Sequence, residues 1–158
     1  MERIRGYGEV VPVDVSTEIV IDRPVADVAA FAEDPTNAPQ WYANIASVEW
    51  VTEPPVTVGS RMRFVAHFLG RRLAYTYEVT EHDPGRRLVM RTAEGPFPMA
   101  TTYTWEPVGG EGEATRMQLR NAGEPRGFAK VGSSMMARSM RRANEADLAA
   151  LKQLLENQ

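Results

Sequence analysis

The chain has 158 residues, 43% of them hydrophobic and 25% charged, with a formal net charge of −3. That length can bury a core in one domain, and the charge offers no basic excess for a nucleic acid. The chain has no cysteine, which excludes disulfides, thiolate metal sites and a cysteine nucleophile.

No apolar run approaches the roughly 20 residues needed to span a bilayer. The opening "MERIRGYGEVVP" lacks the apolar stretch of a secretory leader. The expectation is a cytoplasmic protein with one domain over residues 1–158, of which 1–12 form an N-terminal extension. No internal repeat is visible.

The elements follow in chain order. "VDVSTEIVI" (13–21) is rich in β-branched residues and sets Val13, Val15, Thr17, Ile19 and Ile21 on one side. In "DRPVADVAAFAEDP", Asp22 can cap a helix and Pro24 suits its first turn. Val25, Val28, Ala29 and Phe31 give the apolar stripe, and Asp34-Pro35 ends it. "TNAPQWYANI" predicts a short second helix or turn carrying Trp41 and Tyr42. Trp41 is expected to anchor that helix to the sheet. "ASVEWV" (46–51) reads as a second strand.

From Ser60 the period is two for a long way. Met62, Phe64, Ala66 and Phe68 alternate with Arg61, Arg63, Val65 and His67. After a turn at Gly70, Leu73, Tyr75, Tyr77 and Val79 form the next apolar side. "EHDPG" is a turn, and Leu88, Met90 and Thr92 follow. "PMATTYTWEP" sets Met99, Thr101, Tyr103 and Trp105 on its more apolar side. After a glycine-rich turn, Thr115, Met117, Leu119 and Asn121 close the series. The period then becomes helical from 128 to about 156. Phe128, Val131, Met135, Met136, Ser139, Met140, Ala143, Leu151 and Leu154 are read as one broad apolar face.

The order strand, two short helices, six strands, long helix resembles the helix-grip fold of the START-like (SRPBCC) superfamily. Within it the chain is similar to the polyketide cyclase/dehydrase-like branch of small bacterial proteins. The residues that carry the likeness are "VSTEIVIDRPVADVAAFAEDPTNAPQW", "VGSRMRF", "GRRLAYTYEVTEHDPGRRLVMRT" and "TTYTWEPVGGEGEATRMQL". The expected fold class is α+β: a curved antiparallel sheet of about seven strands (β-α-α-β6-α) wrapped around a long C-terminal helix. The resemblance implies a deep apolar cavity between helix and sheet but no single reaction.

Apolar sets face inward, because exposing them costs roughly 25 cal/mol per Å². The candidate ligand-binding residues are therefore Phe64, Phe68, Tyr75, Tyr77, Met90, Met99, Thr101, Tyr103, Met117, Asn121, Met135 and Ser139. Methionines offer adaptable surface, and scattered hydroxyls and an amide can orient a polar end. The "AEGPFP" and "EPRGF" segments are placed to flank the opening.

Acids and bases are scarce on the inward sets. His67 falls on the outward side of its strand, and His82 sits in the "EHDPG" turn, both as surface polar residues. Two separated histidines without cysteine argue against a transition-metal site. No cofactor is called for. Three functions stay open: binding of a hydrophobic, lipid- or polyketide-like small molecule; a polyketide cyclase or dehydratase using Tyr and Asn donors; and a protein-interaction module. The partner expected is a small molecule, with a homodimer left open.

Overall fold

The computed structural model describes residues 12–128 and 131–158. The expected extension over 1–11 and positions 129–130 of the expected helix lie outside the described residues. Seven strands form one antiparallel sheet: β1 (Val13–Ile21), β2 (Ile45–Trp50), β3 (Arg61–Phe68), β4 (Arg71–Asp83), β5 (Arg87–Glu94), β6 (Met99–Val108) and β7 (Ala114–Gly123). Their spatial order is β1-β7-β6-β5-β4-β3-β2. The first strand thus pairs with the last, in register from Val13 opposite Gly123 to Ile21 opposite Thr115. A twisted sheet of this size curls.

The wet convex face carries cross-strand ion pairs. Arg61 meets Glu78 at 2.9 Å, and Arg116 meets Glu106 at 2.6 Å, each pair directly opposite in register. The concave face buries Val15, Met62, Phe64, Tyr77, Met90, Tyr103, Trp105, Met117 and Leu119. Period-two patterning therefore sorted the two faces as half-buried strands require.

Between β1 and β2 stand α1 (Val25–Glu33), a 3₁₀ turn (Pro35–Asn37) and α2 (Ala38–Trp41). Asp22 does not cap α1: Pro24 holds the flanking position, and the Asp22 amide donates to the Glu156 carboxylate at 2.8 Å. Asp34 caps the next turn instead, accepting from the Thr36 amide at 3.0 Å. Trp41 is 2% exposed and packs between Tyr42 and Tyr103, as an anchor should.

The last element, α3 (Ser133–Glu156), crosses the concave face. It begins five residues later than the periodicity predicts. Gly127 is left-handed (φ +87°) and Gly132 extended, so neither glycine continues a helix N-terminal to Ser133. Its buried residues are Met136, Met140, Asn144, Asp147, Leu148, Leu151 and Leu155, at spacings of three and four. Two groups of buried side chains result. One gathers α1, α2 and Leu148, Leu151 and Leu155 against the sheet; the other gathers Val13, Val15, Leu73, Phe128, Met136 and Met140.

Candidate functional site

A hollow lies against the concave face, drawing its lining from both groups. About 150 Å³ of it is open to the centre of a water-sized sphere. Apolar cavities of about that size admit a benzene ring. The sheet contributes Phe64, Ala66 and Phe68 from β3, Leu73, Tyr75 and Tyr77 from β4, Met90 and Thr92 from β5, Met99, Thr101 and Tyr103 from β6, and Asn121 from β7. Alternation puts all of them on one side of their strands. Pro96, Phe97, Pro125 and Phe128 border it from the two connectors that the sequence placed at the opening. Phe128 packs edge-on against Phe68 and Phe97, with the Arg71 guanidinium 5.2 Å from its ring centre.

Two polar clusters interrupt the apolar wall. On the sheet, the Tyr77 and Thr101 hydroxyls lie 2.9 Å apart, and Thr101 donates to Asn121 Oδ1 at 3.1 Å. Burial pushes the Tyr77 phenol up to about 12. The second cluster joins the sheet to the helices. The Tyr42 and Tyr103 hydroxyls are 2.7 Å apart. Burial raises both phenols well above the usual tyrosine range, and the Asp147 charge adds to the rise. Both are neutral hydrogen-bond donors at physiological pH. A hydroxyl pair uses one proton between its members and keeps the other for a third group.

Asp147 and Asn144 complete this cluster from α3. Asp147 is 3% exposed, and its Oδ1 accepts from the Ala43 amide at 3.0 Å. Burial pushes its carboxyl up to about 6, and the Ala43 hydrogen bond pulls against that rise. Asn144 is buried too, with no partner for Nδ2 among the described residues.

Of the twelve residues singled out from sequence, nine line the hollow: Phe64, Phe68, Tyr75, Tyr77, Met90, Met99, Thr101, Tyr103 and Asn121. Three are placed elsewhere. Met117 is fully buried in the packed core beside the cavity. Met135 is 60% exposed, and Ser139 is half-buried away from the lining. An α-helix turns about 100° per residue, which puts Met135 nearly opposite Leu151, the middle of the buried arc. Reading every apolar residue as inward rotated the helix toward Met135.

The same assumption left Asn144 and Asp147 out of the inward set, because the helix face was drawn from its apolar and small residues. Their signal was positional: both continue the Met136–Met140 stripe at spacings of four and three. The expectation of hardly any inward acid is thereby corrected. His67 is exposed and borders the hollow. His82 belongs to β4, not to a turn, and its half-buried ring lies 3.5 Å from Glu33 of α1. Among the described residues no cluster of His, Asp or Glu could hold a metal ion, and no helix is long and apolar enough to cross a membrane.

A seven-stranded antiparallel sheet curled about a C-terminal helix, with two short helices between its first strands, defines the helix-grip class. The chain belongs to the polyketide cyclase/dehydrase and lipid transport family, which it matches over residues 12–156. No curated protein matches it in sequence. Among solved structures it is similar to a START superfamily protein from Mycobacterium smegmatis, with a TM-score of 0.77 and 16% identity over 91% of this chain and 97% of that one. It is similar to the Zhui aromatase/cyclase from Streptomyces sp. R1128, with a TM-score of 0.73 and 18% identity over 92% and 94%. A protein from Thermus thermophilus superposes with a TM-score of 0.76 and 23% identity over 92% and 98%. At these identities the likeness is one of fold.

Proposed function

We propose that this protein binds one hydrophobic or aromatic small molecule, of lipid or polyketide type, in the hollow between the sheet and α3. The observation that carries this reading is the lining itself. Aromatic and methionine side chains surround space for about one ring, and the polar groups are gathered at two points. On this reading the chain acts as one domain in the cytoplasm. The hollow speaks against an interaction module with a filled interior. Of the large exposed apolar residues, Val20 lies on β1, Val51 and Val58 in the β2–β3 connector, Leu69 in the β3–β4 turn and Met135 on α3.

Native mass spectrometry of protein from its own host tests it. A co-purifying small molecule is expected, and it is expected to be lost from Ala66→Trp, which fills the hollow from β3. Retention of the same added mass in the filled variant overturns the reading.

A second reading, a cyclase or dehydratase, is favoured by Asp147 beside Tyr42 and Tyr103. A buried carboxylate with an elevated pKa can take a proton from carbon between two carbonyls. A neutral phenol can hold the enolate oxygen that forms. Tyr103→Phe is then expected to lower turnover of a poly-β-ketone by about 10- to 100-fold with substrate affinity changed far less. Equal losses in both overturn the catalytic role.

A further inference from the structure

Two neighbours on α3 face the hollow with hydrogen-bonding capacity that the fold does not use. Asn144 is 4% exposed, lines the cavity, and has an unpartnered Nδ2 among the described residues. Asp147 is 3% exposed; Oδ1 is taken by the Ala43 amide, while Oδ2 accepts nothing from the described residues. Tyr42 and Tyr103 answer each other across 2.7 Å, so neither needs Asn144. A buried donor without a partner weakens a fold, and an apolar side chain of the same shape would remove the cost. Residues three apart on a helix lie side by side. The unused donor and the unused acceptor therefore stand next to each other on one wall, opposite aromatic rings.

We propose that Asn144 and Asp147 together read a ligand edge on which a hydrogen-bond acceptor sits beside a donor, a carboxamide on an aromatic ring being the simplest case. Asn144 Nδ2 donates to the ligand's carbonyl oxygen, and Asp147 Oδ2 accepts from its N–H. This deepens the small-molecule reading and rests on it. A hydrocarbon leaves both groups unanswered, and an anionic ligand meets the Asp147 charge. A ring of benzene size fits the volume.

Calorimetric titration of benzamide and of cumene, molecules of similar size and shape, into wild type and Asn144→Leu separates the two claims. Asn144→Leu is expected to weaken benzamide about tenfold, to leave cumene within about twofold, and to raise the melting temperature of the ligand-free protein. Asn144→Ala serves in the same role if the leucine variant does not fold. If both ligands bind but the variants leave benzamide unchanged, or weaken both alike, the edge-reading role is overturned and the pocket stands. If neither ligand binds wild type, the small-molecule reading falls and this inference with it.

Discussion

Asp147 is a carboxylate that the fold buries against its preference, and that has a measurable consequence. Burial raises its pKa from 3.8 to about 6. The folded state therefore binds a proton over a range where the unfolded chain has released it. Stability contributed through this group is full below the unfolded value and is lost as pH rises through the folded one. A shift of about 2 units corresponds to about 3 kcal/mol in total, of which about 2 kcal/mol falls between about pH 4.5 and about pH 7.5. Asp147→Asn keeps an oxygen for the Ala43 amide and removes the titration. The other carboxylates titrate alike in both proteins and cancel. Urea unfolding followed by tryptophan fluorescence is expected to show the variant gaining about 2 kcal/mol relative to wild type over that interval. A difference that stays constant with pH, or a variant that loses stability relative to wild type as pH rises, would refute the placement of Asp147 inside the fold.

Further predictions test the helix face and the sheet. Met136→Ala removes a fully buried side chain and is expected to cost about 2–5 kcal/mol, whereas Met135→Ala is expected to stay within about 0.5 kcal/mol, both by chemical denaturation. A Cβ at Gly95 would sit 2.8 Å from the Tyr75 Cβ and 3.2 Å from Thr92 Cγ2. Gly95→Ala must therefore push the end of β5 from β4, and a melting temperature several degrees lower is expected. An unchanged melting temperature would show that the two strands do not approach so closely there.

The strands were legible because each residue type told its own side. Phe64, Tyr75, Met90 and Tyr103 alternate with Arg63, Thr76, Arg91 and Thr104, and a period of two leaves no other assignment. The nine sheet residues found on the hollow follow from that rule alone. The helix was harder. Its buried arc includes an asparagine and an aspartate, so hydrophobicity points away from the true face where function departs from packing. Tyr42 was legible as a residue of the short second helix or turn but not as the partner of Tyr103, since the two are 61 positions apart. The start of α3 was misread because apolar spacing continues through Phe128 and Val131, while the glycines at 127 and 132 set the local backbone.

The methionines report directly on whether a ligand enters the space described. With methyl-labelled methionine, titration with cumene is expected to move the resonances of Met90, Met99 and Met140, which line the hollow. Met117 in the packed core and Met135 on the outer face are expected to stay in place. Shifts centred on Met135, or a titration that leaves Met90, Met99 and Met140 unmoved, would contradict a binding site between the sheet and α3.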